Sequence, residues 1–280
     1  MSALEFGQHG FALLRAGLAG DPRSLGMFCD LFADDAQLWL PPTPNTRSPY
    51  RGRAAIRELL CGLVASLYRG GLHLRLYQVL TNGERLLFQF EDRGKRLDDS
   101  QYENSPCIAL ECRNEQITGF WEYWGGPGFF RDRLDGSGSR SAADPEAQAT
   151  ARRAMALLNS GMAGSGEDMD AFLELLSDNV QLWFPPTPNT RSPYIGKAEA
   201  ARLFRDLLMK MYPQGMQIEI CHETSGGTRT AFELQSHGIR ADGSEYINSP
   251  CLCLDIKAGK VATLWENWGG PGFHRPIVRG

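Results

Sequence analysis

The sequence predicts an α+β fold in two tandem copies, and three observations support it. A shift of 144 residues, which needs no gap, aligns QLWLPPTPNTRSPY (37–50) with QLWFPPTPNTRSPY (181–194). The same shift aligns WEYWGGPGF (121–129) with WENWGGPGF (265–273). In each copy helical spacing comes first and strand alternation afterwards, the order of helices packed on a mainly antiparallel sheet. The repeat is domain-sized, so we expect a tandem duplication and not a solenoid, whose repeats run to about 20 to 50 residues.

The repeat also sets the expected domain boundaries. We predict a first domain at 1–133, a linker at 134–144 and a second domain at 145–280. The sequence around the junction, DRLDGSGSRSAADPE, is small, polar and contains glycine, as linkers do. The last strand of each copy is apolar on both sides, which predicts that the sheet packs under its own helices and also against the sister copy. The chain would then be an intramolecular pseudo-dimer.

Each copy follows the same predicted order of elements. In the first copy, helices are predicted at 4–19, 22–33 and 52–68. Asp21 and Pro22 begin the second helix as N-cap and first helical residue, and Asp144-Pro145 repeats this signature in the second copy. Strands are predicted at 36–40, 72–80, 85–92, 102–113 and 116–124, with a hairpin turn at 81–84. On the second strand, the leucines at 72, 74, 76 and 80 are assigned to the core face.

Composition and charge narrow the classes of partner. The 280 residues carry 29 Lys and Arg against 33 Asp and Glu, for a net charge of −4, and no basic run occurs. Nucleic acid is therefore not an expected partner. The apolar stretches fall far short of the roughly 20 residues that span a bilayer, and the N-terminus lacks the basic and apolar regions of a secretion signal. We expect a cytoplasmic protein without a membrane partner.

Metal and cofactor sites are not predicted. None of the seven cysteines forms a Cys-x-x-Cys pair, so neither a disulfide framework nor a zinc knuckle is indicated. None of the five histidines has a histidine at its partner position, so a mechanism run identically in both copies cannot use one. No His, Asp and Glu cluster with ligand spacing recurs in both copies. We expect no metal and no cofactor, and a small-molecule substrate.

Short motifs resemble a known family. Tyr102-x-Asn104 before a strand, a turn at 114–118 and a strand ending in Glu122 are similar to the phenazine-biosynthesis A/B type of the superfamily named for nuclear transport factor two. That superfamily includes ketosteroid isomerase and SnoaL-type polyketide cyclases. The resemblance implies cone-shaped α+β barrels that are usually homodimers. This chain would supply both halves itself, as a monomer or a weak homo-oligomer.

One departure from that family concerns the helix after Gly52. The phenazine-type relatives present a polar His and Ser to the ligand there. The matching residues in this sequence are all leucines, at positions 59 and 63 and, in the second copy, 203 and 207. We therefore expect a more apolar pocket.

Glu122 and Glu266 are the candidate catalytic residues. Each lies between tryptophans on an otherwise apolar strand, where loss of water favours the protonated acid and suits it to general acid or base catalysis. In the phenazine-type relatives the matching Glu is the catalytic acid. The alternative is a structural carboxylate that accepts from the backbone or pairs with an arginine at the rim of the sheet.

Tyr102 and Tyr246 are predicted to share the face of the glutamates and to donate a hydrogen bond to a substrate oxygen or nitrogen. Asn104 and Asn248 lie beside them on the same strand face. The alternative for the tyrosines is ordinary packing with a satisfied hydroxyl.

Tryptophans and loop arginines complete the predicted substrate site. The tryptophans expected to line the pocket or core are Trp39, Trp124, Trp183 and Trp268. The proline-rich loop PPTPNTRSPY carries Arg47 in the first copy and Arg191 in the second, and either can clamp an anionic group bidentately. The alternative is that each pairs with an acidic residue and fixes the loop. The copies differ near the site, at Glu103 against Ile247 and at Tyr123 against Asn267, so one pocket is expected to be weaker or tuned differently.

Two functions from different classes follow. The first is a cofactor-independent enzyme of secondary metabolism, in which the pocket glutamates promote condensation, cyclisation or isomerisation of a reactive intermediate. The second is a non-catalytic binding or scaffold protein that sequesters a hydrophobic metabolite or docks a partner. Hydrolysis by an Asp-Arg-Asp relay ranks last, because no such relay can be placed in both copies.

Overall fold

The structure is a computed structural model of the chain, and it describes residues 1–44, 46–63, 66–130, 142–187, 190 and 192–274. The chain divides into two compact units, Met1–Arg140 and Ser141–Gly280. Most of the predicted linker lies in 131–141, outside the described residues. In the described part of the chain, no helix combines the length and apolar character that a membrane crossing requires.

The first unit begins with two helices and continues into strands. Its helices are α1 (Ala3–Leu18), α2 (Pro22–Asp30) and α3 (Arg53–Arg57), the last continuing as a π-helix at Glu58–Leu63. Its strands are β1 (Phe32–Trp39), β2 (Tyr50–Arg51), β3 (Tyr68–Thr81), β4 (Arg85–Arg96), β5 (Gln101–Asn104), β6 (Cys107–Arg113) and β7 (Gln116–Tyr123). This order confirms the α+β class.

The second unit repeats the same plan. Its helices are α4 (Pro145–Met162), α5 (Gly166–Leu175), α6 (Lys197–Ala201) and α7 (Met209–Met211), with a π-helix at Arg202–Leu208 between the last two. Its strands are β8 (Leu176–Trp183), β9 (Tyr194–Ile195), β10 (Met216–Gly226), β11 (Arg229–Ile239), β12 (Glu245–Asn248), β13 (Cys251–Lys257) and β14 (Lys260–Asn267). The predicted N-caps are confirmed, because Asp21 accepts from the backbone N–H of Arg23 and Asp144 accepts from that of Glu146.

The strands of each unit form a sheet with one parallel pair. In the first unit the order is β2-β1-β7-β6-β4-β3, and in the second it is β9-β8-β14-β13-β11-β10. The short strands β5 and β12 pair with β4 and β11. Only β1 with β7 and β8 with β14 run parallel among the described pairs. The helices of each unit share a buried core with its sheet, through residues such as Phe11 and Phe88, whose rings stack 4.8 Å apart.

Several predicted boundaries are wrong for local reasons. The helix predicted at 22–33 ends at Asp30, since Phe32 already begins β1. The strand predicted at 102–113 is two strands separated at Ser105-Pro106, because proline has no N–H for the ladder. On β3 a bulge between Leu76 and Gln78 reverses the alternation, so that Val79 and not Leu80 joins the core under the helices.

Candidate functional site

The second unit encloses a cavity of about 270 Å³ between its helices and the inner face of its sheet. Most of the wall is apolar, contributed by α4, the π-helix and the strands, for example Met162, Phe204 and Leu252. Three of the predicted site residues, Glu266, Tyr246 and Trp268, lie together in this wall. The cavity is thus an apolar pocket with a few convergent polar groups, the usual form of a small-molecule site.

Glu266 is the acid of this cavity. It lies on β14 between the core residue Leu264 and Trp268, whose indole Nε1–H donates to Glu266 Oε1 at 2.7 Å. Burial raises the pKa of Glu266 from its usual 4.5 to about 7, and the Trp268 hydrogen bond only partly opposes this. Glu266 as a whole residue is half-buried, and it forms part of the cavity wall. Near neutral pH it therefore exchanges a proton readily, as a general acid or base must.

Tyr246 on β12 is oriented by Asn248. The Asn248 Oδ1 accepts the backbone N–H of Ser249 at 2.9 Å, so its amide nitrogen faces the phenol and donates to Tyr246 OH at 3.2 Å. Because the phenol oxygen accepts this bond, its own proton is available to a ligand in the cavity. Burial, and then the charge of Glu266, raise the pKa of Tyr246, so it stays a neutral donor.

Arg240, Tyr212 and Ser236 also line the cavity and were not predicted. The Arg240 guanidinium lies over the Tyr246 ring at 5.0 Å and hydrogen-bonds Tyr212. The Tyr212 ring lies 5.3 Å from that of Tyr246. A signal for two of them was present in the sequence, since Tyr212 and Arg240 have identical partners at the 144-residue shift, Tyr68 and Arg96.

The wall contributed by the third helix differs from the prediction. Leu203 and Leu207 were expected to face the ligand, but the cavity is lined by Phe204, Leu208 and Met211. The segment Arg202–Leu208 is a π-helix. Its wider turn shifts the phase of all later side chains relative to a regular α-helix. Leu203 is buried in the core instead.

The proline-rich loop closes one side of the cavity through hydroxyl groups. Ser192 Oγ accepts from the backbone N–H of Phe184 at 2.8 Å and donates to its carbonyl, and Thr190 Oγ1 donates to the Pro185 carbonyl at 2.9 Å. Thr187 and Thr190 face the cavity. The equivalent loop of the first unit makes the same hydroxyl bonds, with Ser48 to Leu40 and with Thr46 to Pro41. The repeated motif is therefore well explained by the fold of the loop.

Of the two loop arginines, only Arg47 is among the residues that the structure describes. Arg47 is exposed, and its backbone N–H donates to Tyr50 OH at 3.1 Å. Arg191 lies outside the described residues. An anion clamp by these residues stays a prediction.

The tryptophans divide between the two faces of the sheet. Trp183 pairs in register with Trp265, and Trp39 with Trp121, so each pair shares one face. The Arg229 guanidinium lies 4.4 Å from the Trp265 ring, and Arg85 lies 4.1 Å from that of Trp121. This is the face opposite the glutamates, because strand side chains alternate. Phe184, the residue after Trp183, lines the cavity in its place.

The first unit builds the same constellation. Trp124 Nε1–H donates to Glu122 Oε1 at 2.9 Å, and Asn104 Nδ2 lies 3.4 Å from Tyr102 OH. Arg96 lies over the Tyr102 ring at 4.9 Å, and the Tyr68 and Tyr102 rings are 5.1 Å apart. Burial raises the pKa of Glu122 to about 7, as for Glu266. The sequence repeat is thus matched by a repeat of site geometry.

Comparison with known proteins agrees with this architecture. Residues 151–264 match the family model of the SnoaL-like domain. The match lies within the second unit. The matched residues include Tyr246 on β12, and Glu266 lies two residues beyond Leu264, the last matched residue, on the same strand. The first unit repeats the motifs and the element order of the matched region. The finer likeness to the phenazine type stays a prediction.

Solved structures of similar proteins each cover one half of the chain. A protein from Anabaena variabilis described as NTF2-like is 25% identical, covers 45% of this chain and 91% of its own, and has a TM-score of 0.40. A Mycobacterium tuberculosis protein solved with estradiol-17beta-hemisuccinate is 14% identical over 44% of this chain and 95% of its own, with a TM-score of 0.37. A candidate polyketide cyclase from Xanthomonas campestris is 20% identical over 43% of this chain and 88% of its own, with a TM-score of 0.35. Among curated protein sequences, none matched this chain.

Proposed function

We propose that the chain is a cofactor-independent biosynthetic enzyme that uses Glu266 and Glu122 as general acid and base in condensation, cyclisation or isomerisation of an apolar small molecule. The observation that carries the proposal is the Glu266 carboxyl, which faces an apolar cavity and whose pKa burial raises to about 7. A carboxyl with a pKa near the working pH both accepts and returns a proton, which is the requirement for such reactions.

The surrounding groups suit proton transfer next to a carbonyl. The ionised Glu266 takes a proton from the carbon beside the carbonyl, and the electron pair moves to the carbonyl oxygen. Tyr246, with its oxygen already accepting from Asn248, donates its proton in a hydrogen bond to that oxygen. Trp268 fixes the carboxyl by its indole N–H. The proton then returns from Glu266 to the substrate at the same or a neighbouring carbon.

The apolar wall supports the choice of substrate class. Around the polar end, the cavity is lined by residues such as Phe184, Met216 and Ile218. Burial of a hydrocarbon skeleton in such a cavity is favourable by about 25 cal/mol for each Å² of apolar surface removed from water. A volume of about 270 Å³ limits the ligand to a small molecule.

Deuterium exchange tests the proposal without knowledge of the natural substrate. With 2-tetralone as a carbon-acid probe in D₂O, the wild-type protein should accelerate exchange at the carbon next to the carbonyl, with a rate that rises with pH through about 7. Glu122→Gln with Glu266→Gln should lower this rate by a factor of roughly 10² to 10⁴. An unchanged rate in the folded double variant would refute the proposal. Glu167→Gln, at an exposed position on α5, is the matched control.

Non-catalytic binding is the second candidate, and the largely apolar cavity wall favours it. It predicts that 2-tetralone binds without exchange and that affinity survives both glutamine substitutions. Affinity should instead fall when Phe204 is replaced by alanine, because that ring forms part of the wall. Loss of exchange with retained binding in the glutamine variants selects the enzyme.

A further inference from the structure

Asp92 is a buried acid in the first unit that the repeat does not share. It is only 3% exposed and lies on β4, on the face of the core residues Phe88 and Phe90. Its register partner on β5 is Asn104. The matching residue of the second unit is Ser236, which lines the cavity there. The position therefore belongs to the ligand-facing surface of the fold, and only the first unit places an acid at it.

The carboxyl of Asp92 is incompletely satisfied by the protein. Its Oδ1 has no hydrogen-bond partner among the described residues. Nearby charges come from Glu122 on β7 and from Glu91 on β4. The backbone N–H groups of Asp92 and Asn104 hydrogen-bond this carboxyl and lower its pKa. A buried carboxyl oxygen without a partner is still costly, and a neighbouring carboxylate adds to that cost. Such a group is stabilised by a donor that also carries positive charge.

The charges around the two sites differ by one acid. In the first unit Asp92 and Glu122 share the site with one guanidinium, that of Arg96, and with the neutral phenols of Tyr68 and Tyr102. In the second unit a single acid, Glu266, faces the guanidinium of Arg240. When both acids are ionised, as a bound cation favours, the first site carries one more negative charge than the second.

We propose that the first unit's site binds an apolar molecule that carries a protonated amine, recognised by Asp92 and Glu122, whereas the second unit's site takes a neutral ligand. This inference deepens the proposed function, because it assigns different substrate classes to the two sites. The ammonium N–H groups donate to Asp92 Oδ1, and the hydrocarbon skeleton packs where the ligand of the second unit does.

Release of a proton when the ligand binds is a second measurable consequence of the proposal. Burial, and then the charge of Glu122, raise the pKa of Asp92 well above its usual value, which favours the protonated carboxyl while the site is empty. An ammonium ion favours the ionised carboxyl instead, so its binding releases to the solvent any proton that Asp92 holds. A neutral amine that binds takes that proton on its nitrogen. A neutral alcohol of the same shape moves no proton.

Calorimetry with 2-aminotetralin and 2-tetralol tests the inference on the full chain. At pH 7 one site should prefer the amine at least tenfold, with release of up to one proton measured from the dependence of the enthalpy on the buffer. Asp92→Ser, which installs the residue of the second unit, should abolish both the preference and the release. The reciprocal Ser236→Asp should create an amine preference at the second site. Asp92→Asn keeps the shape if the serine variant does not fold.

The opposite outcomes are equally specific. A preference that persists in Asp92→Ser, or equal binding of amine and alcohol to the wild type, would overturn the inference, as would displacement of the amine by millimolar magnesium. Binding is measured without turnover. Absence of 2-tetralone exchange would therefore refute the proposed function while leaving the amine preference intact, and the reverse result would do the opposite.

Discussion

The two units have matching scaffolds and different charges. Both place a glutamate beside a tryptophan indole, a tyrosine beside an asparagine amide, and an arginine over the tyrosine ring. Several apolar inner residues differ between the units, but the difference in inner acidic residues is at one position, where the first unit has Asp92 and the second Ser236. Both copies have kept the groups that hold and donate protons. The single position occupied by Asp92 or Ser236 changes the charge of the ligand site.

Removal of the phenol hydroxyl should have the largest effect that separates the units. In a Glu122→Gln background, where only the second site keeps its glutamate, Tyr246→Phe should lower the 2-tetralone exchange rate by roughly 100-fold, because a positioned donor to the developing oxyanion is lost. Tyr102→Phe in the same background is the matched control and should leave the rate unchanged. Equal losses from the two substitutions would show that the units do not act as separate sites.

The pH dependence of the free energy of unfolding should reveal the burial of Glu266. Its folded pKa of about 7 exceeds the usual 4.5, so the folded state keeps a proton that the unfolded chain has lost. The contribution of Glu266 to the free energy of unfolding is fully present below about pH 4.5. It declines by up to about 3 kcal/mol as the pH rises to about 7. Glu266→Gln should therefore raise the urea midpoint at pH 8 and leave it unchanged at pH 4.

The exposed Glu167→Gln controls for that measurement and should not alter the midpoint at either pH. Glu122→Gln should behave as Glu266→Gln does, since burial raises the pKa of Glu122 to about 7 as well. A gain of stability at pH 4 would contradict the account, because the glutamate is then protonated in both folded and unfolded chains.

Part of the site could be predicted from sequence identity between the two copies and from the alternation of side chains along a strand. The motifs repeated at a shift of 144 residues pointed to Glu266, Tyr246 and Asn248, and alternation on the strand put the last two on one face. The structure brings Glu266 and Tyr246 into one cavity wall and bonds Asn248 to the tyrosine. Identity between copies would also have found Tyr212 and Arg240, which have exact partners in the first unit.

The other site residues could not be predicted, because their positions depend on features that local sequence patterns do not show. The family resemblance assigned Leu203 and Leu207 to the ligand face, but on the π-helix Phe204 and Leu208 line the cavity. Asp92 was the last residue of the predicted strand, and the alternation that puts Leu86, Phe88 and Phe90 on the inner face was not carried on to it, although β4 continues to Arg96.

The two sequence differences that were expected to distinguish the pockets lie on the face of the sheet opposite the glutamates. Tyr123 and Asn267 follow the glutamates directly and therefore point to the opposite side of the sheet. Glu103 likewise alternates with Tyr102 and Asn104, and pairs with Arg93 at 3.6 Å. The difference in charge that reaches the inner face is the one between Asp92 and Ser236.

A carboxyl titration tests the central claim most directly. In protein labelled with ¹³C at glutamate side chains, a spectrum of Glu122→Gln compared with wild type identifies the Glu122 resonance, and Glu266→Gln identifies that of Glu266. The account predicts that both carboxyls titrate with midpoints near pH 7, because burial disfavours their charged forms. Midpoints near the usual 4.5 would contradict it, since neither carboxyl would then hold a proton to transfer at neutral pH.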